Sequence, residues 1–303
     1  MELCGLEQYC KENNIPYKKD EPMRLHTSFK IGGPADIFIC PGNTAELSSV
    51  LKRCRELTVP FFIIGNGSNL LVSDGGIEGA VISVSSLNKI TVCGEEIKCG
   101  AGAGLSSVCK AALDNSLTGL EFAYGIPGSV GGALYMNAGA YGGEMADAVI
   151  SAEYVTEDGT AAELTAEEMR LGYRSSVFKN GGMVITSVTL RLSGGDKERI
   201  QEKMSELIMR RKQKQPLEYP SAGSTFKRPV GNYAGALIEK NGLKGASAGG
   251  AQVSDKHAGF IVNLGNATCK DVCELIKRVQ TEVLNGDGVK LEPEVILVGR
   301  SGN

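Results

Sequence analysis

The sequence lacks a strong charge of either sign. It carries 32 basic and 35 acidic side chains, which leaves a net charge of −3. A protein that binds nucleic acid or an anionic membrane through a broad surface presents an excess of positive charge. Neither partner is therefore expected here, and any anion that the chain binds must be held by local groups.

Long hydrophobic runs are also missing. Nowhere do 18 apolar residues follow one another, and the opening residues, MELCGLEQYCKENN, include charged side chains throughout. A membrane-spanning helix needs about 20 apolar residues, and a signal peptide needs an apolar segment of about 7 to 15. The sequence predicts no membrane span, no signal peptide and a cytoplasmic location.

Metal-binding and disulfide patterns are absent as well. The nine cysteines include no Cys-x-x-Cys motif, and the tightest pair, Cys269 and Cys273, lies at i, i+4 on a predicted helix without further ligands nearby. We expect nine free thiols in a reducing compartment and no metal. Neither His26 nor His257 has neighbours that indicate a catalytic triad, and we interpret His257 as structural or substrate-adjacent.

Glycine, in contrast, is abundant. The 303 residues include 40 glycines, about twice the average share of ~7%. They cluster in short segments: 65–67, 75–79, 100–104, 125–132, 139–143 and 242–250. Glycine permits positive φ and lets a ligand touch the backbone. A flat or extended cofactor that lies across several loops would explain the clusters.

The length of 303 residues suggests two or three structural units. Within them, the hydrophobic patterns predict helices and strands. Helices are predicted at 43–57, 106–115, 165–168, 197–212, 233–240 and 268–285, and strands at 59–64, 80–84, 89–92, 96–99, 152–156, 184–192, 259–263 and 293–298. The basic end of the helix at 197–212 runs into prolines. We place the domain boundary at this helix, with domains 1–196 (subdomains about 1–85 and 86–196) and 197–303.

The first candidate binding loop, Gly65-Asn-Gly-Ser-Asn69, follows a buried strand directly. Consecutive backbone N–H groups in such a turn form a concave site that suits a pyrophosphate. A Rossmann loop is not indicated, because position 70 is leucine and the next residues are typical of a strand and a turn. A plain glycine hairpin remains the alternative.

The second candidate loop is 125–143, where glycines and small residues alternate with apolar ones in a pattern that neither a helix nor a strand requires. A tight structural loop remains the alternative. Together with 65–71 and four further segments, this loop resembles the UDP-N-acetylenolpyruvoylglucosamine reductase family, in family order along nearly the whole chain. The further segments are 24–36, 171–178, 221–229 and 291–295.

The resemblance implies an α+β fold: the FAD-binding fold of the vanillyl-alcohol oxidase (PCMH) type in two subdomains, plus a C-terminal α+β substrate-binding domain. It implies non-covalent FAD, reduced by NADPH, and reduction of UDP-N-acetylglucosamine enolpyruvate to UDP-N-acetylmuramate in peptidoglycan synthesis. No obligate protein partner is evident. Only 50 positions separate Arg174 from Ser224. That spacing resembles the shorter class, which lacks a tyrosine-bearing insertion.

The resemblance also assigns site residues. Arg174 would polarise the substrate carboxylate, Ser224 would donate the proton, and Glu294 would share the enol charge through a hydrogen bond. By their position in the sequence, Lys227 and Arg228, together with Arg210 to Lys214, are the nearest cations for the UDP pyrophosphate, and a solvated basic face explains the second group equally well. The expected cofactor-binding residues lie in the two loops: Ile64, Gly65, Asn66, Gly67, Ser68, Asn69, Leu70, Gly125, Ile126, Pro127, Gly128, Val130, Gly131, Gly132, Asn137, Gly139, Ala140 and Tyr141.

Each of these assignments has an alternative explanation that involves no catalytic role. Without the resemblance, the three catalytic candidates would read as a surface arginine, a turn serine and a solvated glutamate at a strand end. Two rival functions also remain: another FAD-dependent oxidase or dehydrogenase of the same fold, and a nucleotide-sugar binding protein without catalysis.

Overall fold

A computed structural model describes residues 2–300. The chain forms two compact units, and each is assembled from separate segments. The first comprises 1–19, 37–66 and 79–210, and the second comprises 20–36, 67–78 and 211–303. The mixture of helices and strands confirms the α+β class. The predicted boundary at residue 197, which divides the chain into two contiguous domains, stays a prediction. The two compact units are groups of segments that pack together, and they do not test that boundary.

Seven α-helices lie within residues 2–300: α1 Glu2–Glu12, α2 Thr44–Glu56, α3 Leu105–Asp114, α4 Val130–Tyr135, α5 Lys197–Lys214, α6 Ala234–Lys240 and α7 Cys269–Asp287. The strands in the same range are β1 Tyr17–Pro22, β2 Pro34–Ile39, β3 Phe61–Ile64, β4 Leu70–Val72, β5 Ile77–Ser83, β6 Ile90–Cys93, β7 Glu96–Gly100, β8 Leu117–Thr118, β9 Gly139–Ala140, β10 Gly143–Glu144, β11 Val149–Thr156, β12 Ala161–Thr165, β13 Met183–Arg191, β14 Ser193–Gly194, β15 Ser247–Ala248, β16 Ala251–Val253, β17 Ile261–Asn263 and β18 Ile296–Val298. None of these helices is both long and apolar enough to cross a bilayer.

The first unit is built around an antiparallel sheet with strand order β12-β11-β13-β7-β6. Along β13, Val184, Thr186, Val188 and Leu190 are buried on one face, because side chains two residues apart point to the same side of a strand. A second sheet has the order β1-β2-β5-β3, in which β3 runs parallel to β5 with Phe61 opposite Ala80. Asn43 begins α2 by accepting the N–H of Glu46 at 2.9 Å.

The second unit has its own core. The buried face of α7 carries Val272, Leu275, Val279 and Val283, at the spacing expected for one face of an amphipathic helix. The helix begins with a capping box between Thr268 and Asp271 and ends at Gly288, whose φ of 68° is left-handed. Strands β15, β16 and β17 form one antiparallel sheet, and β4 pairs in parallel with β18.

Most predicted elements are confirmed, but the helix at Thr165–Glu168 is wrong. Its capping bonds do form: Glu168 Oε2 accepts the N–H of Thr165 at 2.8 Å, and Thr165 Oγ1 accepts the N–H of Glu168 at 3.5 Å. The chain makes a single turn there before it enters a tight loop at Gly172. A cap satisfies only the first turn of a helix and does not extend it.

The pattern also missed helices α1 and α4 and the strands β1 and β2. Helix α4 lies inside the glycine-rich segment, where no helix is predicted from the pattern. It forms because Gly131 lets the chain pack closely: its N–H donates to Ala101 O at 2.8 Å, and a Cβ there would lie 2.7 Å from Ala101 Cβ.

The nine cysteines are free thiols, as expected. Burial raises the pKa of Cys54, Cys99 and Cys109 to about 12. Thiols in this state are poor nucleophiles, so these three are packing residues.

Candidate active site

The first predicted loop connects β3 to β4. Among residues 2–300, no protein group accepts the backbone N–H groups of residues 65–69. Gly67 has a φ of 59° and is buried, and a Cβ at this position would overlap His26 O. Consecutive unused N–H groups in a left-handed turn form an anion-binding concavity. The conformation therefore suits a pyrophosphate, and only glycine fits at position 67.

Within the first unit, the structure brings Gly65, at the start of the first predicted loop, against the second loop. A Cβ on Gly65 would overlap Ser129 Oγ, so the backbone of the first loop lies directly against the second. Ser129 is 1% exposed, and its Oγ accepts the N–H of Gly132 at 3.3 Å. Glycine at position 65 is thus required by a close approach between loops.

The second loop uses its glycines differently. The backbone N–H groups of Ile126, Gly128, Val130 and Gly131 donate to protein carbonyls at 2.8–3.0 Å. These four groups are therefore already satisfied within the first unit. Here the small residues serve close packing, whereas in the first loop the N–H groups stay open. The sequence pattern alone does not distinguish these two uses of glycine.

The end of the second loop contains Asn137, which is fully buried at a φ of 41°. Its Nδ2 donates to Gly172 O at 3.1 Å, and its Oδ1 accepts the N–H of Ala146 at 3.0 Å. Both ends of the amide are occupied by the protein. Tyr141, at a φ of 55°, lies 42% exposed with the Arg210 guanidinium 5.3 Å from its ring centre.

Arg174 lies in the first unit, in a two-residue hairpin loop. Gly172 N–H donates to Ser175 O at 3.1 Å, and Ser175 N–H donates to Gly172 O at 3.0 Å. Arg174 has a φ of 52°, and its guanidinium lies 5.2 Å from the ring centre of Tyr173. A left-handed arginine is uncommon, and strained residues of this kind concentrate at functional sites.

The loop that presents Arg174 is held from both sides. Asn137 donates to its Gly172 carbonyl, and Ser176 Oγ donates to Tyr135 O, at the end of α4, at 2.8 Å. Two predicted features, the cofactor segment and the catalytic arginine, are thereby connected within one unit. Sequence reasoning missed this link, because the partners are 35 and 41 positions apart.

The segments that carry Ser224 and Glu294 are joined in the second unit. Two isolated β-bridges flank the segment that carries Ser224: Ser224 pairs with Phe260, and Phe226 pairs with Pro293. Thr225 is 3% exposed, and its carbonyl accepts the N–H of Glu294 at 2.8 Å. Ser224 is exposed and Glu294 is half-buried. The two candidate residues therefore belong to adjacent hydrogen-bonded segments.

Asn69, a predicted cofactor-loop residue, is also tied to these segments. Its Nδ2 donates to Glu294 O at 3.2 Å, and its own carbonyl accepts the N–H of Ile296 at 2.9 Å. The segment around Glu294 is consequently fixed by hydrogen bonds on both of its edges. The sequence patterns did not predict this contact, because the two residues are 225 positions apart.

The two predicted substrate-binding cations have partners in the structure. Lys227 Nζ donates to Glu292 Oε2 at 3.2 Å, and the Arg228 guanidinium lies 4.6 Å from the ring centre of Tyr233. Tyr233 is 63% exposed. An exposed ion pair of this kind is worth about 1 kcal/mol or less, so a bound anion could compete for Lys227.

Comparisons with known proteins agree with this geometry. Residues 35–165 match the FAD binding domain family, and residues 215–298 match the family described as UDP-N-acetylenolpyruvoylglucosamine reductase, C-terminal domain. The UDP-N-acetylenolpyruvoylglucosamine reductase of Clostridium perfringens is 53% identical over 295 residues, which cover 97% of this chain and 96% of that protein. The chain belongs to the UDP-N-acetylenolpyruvoylglucosamine reductase family.

One solved structure supports the same family, and a second shares the fold. The UDP-N-acetylenolpyruvylglucosamine reductase of Thermus caldophilus superposes with a TM-score of 0.81 at 38% identity, covering 93% of this chain and 98% of that one. The berberine bridge enzyme of Eschscholzia californica matches 63% of this chain and 44% of its own with a TM-score of 0.50 at 19% identity. That second likeness concerns the fold alone, and with the FAD binding domain match it confirms the predicted FAD-binding fold of this reductase-family member.

Proposed function

We propose that this chain catalyses the NADPH-dependent reduction of UDP-N-acetylglucosamine enolpyruvate to UDP-N-acetylmuramate through non-covalent FAD, in peptidoglycan synthesis. The supporting observation is the 53% identity over 97% of the chain to a reductase of that name. The reaction would occur in the cytoplasm, and nine free thiols are typical of that reducing compartment.

The first loop fits the pyrophosphate of FAD. Its five open N–H groups at 65–69 offer an anion site without a side-chain cation. Gly65 and the second loop would enclose the cofactor through close backbone contact. When bound, FAD would supply the hydride-transfer chemistry that couples NADPH oxidation to reduction of the substrate.

The chain's own residues supply binding and proton transfer. Arg174 would bind the substrate carboxylate through its planar fork, since a guanidinium keeps its charge and offers paired donors. Ser224 would hold the proton that the substrate carbon receives, and the half-buried Glu294 would stabilise the enol charge through a hydrogen bond. Lys227 and Arg228 would meet the UDP pyrophosphate.

One assay separates this function from its rivals. The purified protein, supplied with FAD and NADPH under air, should show little NADPH oxidation until the enolpyruvyl sugar is added. Rapid oxidation without that sugar would identify an oxidase that passes electrons to oxygen. A protein that stays colourless after FAD is added would be a nucleotide-sugar binding protein instead.

Substituting Gly67 tests the cofactor loop. Gly67→Ala should lose most of its flavin on gel filtration, because a Cβ at this position overlaps His26 O and deforms the loop. The flavin content follows from the ratio of absorbance in the flavin band to that at 280 nm. Gly94→Ala is the matched control, since Gly94 has a φ of 57°, close to the 59° of Gly67, but no atom lies near its Cβ position. Equal flavin retention in both variants would contradict the assignment.

Substituting Asn137 tests the support of Arg174. Asn137→Asp keeps the size, the tolerance of positive φ and the acceptor for Ala146 N–H, but it places an acceptor against Gly172 O. Turnover should fall about tenfold, since a buried polar group without its partner costs about 1–3 kcal/mol. Steady-state rates with saturating FAD measure this effect. Unchanged turnover would mean that the amide does not position the Arg174 loop.

A further inference from the structure

His257 lies in a closed turn that connects β16 to β17. The N–H of Ser254 donates to Phe260 O at 2.9 Å, and the N–H of Phe260 donates to His257 O at 3.0 Å. Phe260 is the residue that pairs with Ser224. The turn therefore ends at the strand beside the candidate proton donor.

The imidazole of His257 faces inward within this turn. Its Nδ1 accepts the N–H of Gly259 at 3.1 Å, and its ring lies edge-on to Phe260 with ring centres 5.0 Å apart. Gly235 and Gly259 leave room for the ring, since a Cβ on either would lie 3.0–3.3 Å from His257 Cε1. Nδ1 can accept this bond only when it carries no proton, so this geometry fits a neutral ring with its proton on Nε2.

A short chain of backbone bonds connects this imidazole to the candidate catalytic residues. Gly259 donates to His257 through its N–H and accepts the N–H of Thr225 at 2.8 Å through its carbonyl. The carbonyl of Thr225 then accepts the N–H of Glu294 at 2.8 Å. Thr225 is buried and follows Ser224 directly. Gly259 therefore connects the imidazole of His257 to the segment that carries Ser224.

We propose that His257 is a positioning residue for the reduction of the enolpyruvyl sugar: its neutral imidazole holds Gly259, whose carbonyl accepts the N–H of Thr225, and so positions the segment that presents Ser224. This inference rests on the proposed function. It concerns the step in which the substrate receives its proton, because reduction of FAD by NADPH adds no proton to a substrate carbon.

Burial favours the neutral form of His257. Burial lowers the pKa of His257 below its usual value, and Lys244 lowers it further, whereas its own backbone hydrogen bonding and Glu239 oppose this effect. Lys244 and Glu239 pair with each other at 2.7 Å, so their opposite charges largely compensate. On the turn itself, Lys256 pairs with Glu218 at 3.5 Å, and Asp255 is the other titratable group.

Two substitutions in the full-length holoenzyme distinguish the effect of the hydrogen-bond acceptor at position 257 from that of the imidazole ring. His257→Asn keeps an acceptor, because an asparagine oxygen readily takes the N–H two residues further along, and it cannot be protonated. His257→Leu keeps apolar bulk but leaves the Gly259 N–H without a partner. Anaerobic stopped flow then measures FAD reduction by NADPH and its reoxidation by the enolpyruvyl sugar separately.

We expect His257→Leu to slow reoxidation about tenfold or more, the cost of a buried N–H without its acceptor. Flavin reduction should stay within about twofold of the parent, and His257→Asn should restore most of the reoxidation rate. Equal slowing of both half-reactions by His257→Leu, or failure of His257→Asn to rescue, would overturn the proposal. If His257→Leu does not retain flavin, the proposal is tested by comparing the pH dependence of the reoxidation rate in His257→Asn with that in the parent.

The pH profile of reoxidation is the second measurement. In the parent the rate should fall on the acid side as the imidazolium forms and Nδ1 can no longer accept; because burial lowers the pKa of His257, this fall lies below the usual range of histidine. In His257→Asn this fall should move to lower pH, because asparagine has no imidazole to protonate. If the reoxidation rates of the two proteins fell over the same acidic pH range, the proposal would be overturned. A parent that reduces no enolpyruvyl sugar would instead refute the proposed function.

Discussion

In Ser224→Ala, NADPH should reduce FAD at close to the parental rate, while reoxidation by the enolpyruvyl sugar should slow about 100-fold or more. The difference arises because both half-reactions use the same flavin, but only the second needs a proton on carbon. Anaerobic stopped flow follows the flavin absorbance in each half-reaction. Ser224→Cys, whose thiol can still deliver a proton, should fall between the parent and Ser224→Ala.

A folding defect does not explain such a result. Ser224 is exposed, and the pairing of its segment depends on backbone groups and on Thr225, which the substitution leaves in place. Removing one exposed hydroxyl changes stability by about 0.5 kcal/mol or less. Equal slowing of the two half-reactions would mean that Ser224 shapes the site without donating the proton. If neither slows, Glu294 becomes the leading donor.

Arg174→Lys should lower substrate-dependent reoxidation about 100-fold, the scale expected when a preorganised donor to a developing charge is lost. Lysine keeps the positive charge but offers no planar fork for the carboxylate. Rapid-reaction measurements should show a much smaller change in flavin reduction by NADPH. Near-parental turnover would show that Arg174 does not polarise the carboxylate.

The backbone conformation at Arg174 does not complicate the comparison of Arg174→Lys with the parent. Arginine and lysine share the cost of a φ of 52°, so the substitution leaves the strain of the loop unchanged. Arg174→Gly is the complementary control, since glycine relieves the strain and removes the side chain. It should be at least as stable to heat as the parent and as inactive as Arg174→Lys. Loss of stability in Arg174→Gly would indicate a structural role for the guanidinium.

Local patterns in the sequence were sufficient for many of the regular elements, although they missed α1, α4, β1 and β2. Asn43 and Glu46 define the start of α2, and the apolar stripe of α7 defines its buried face, because both depend on residues within one or two turns. The strand after Asn69 likewise excluded a Rossmann loop. In contrast, the capping residues Thr165 and Glu168 predicted a helix where the chain makes only one turn.

By itself, the sequence determined the family, the cofactor class and the candidate chemistry, since these depend on which residues occur and in which order. The tertiary structure alone decided how those residues are held. Asn137 donates a hydrogen bond to the Arg174 loop, and Asn69 donates one to the carbonyl of Glu294. His257 accepts the N–H of Gly259, which is bonded to the segment that carries Ser224. Most of these contacts join residues that are tens to hundreds of positions apart. Such bonds depend on backbone orientation in the folded state, which no local pattern of residue types encodes.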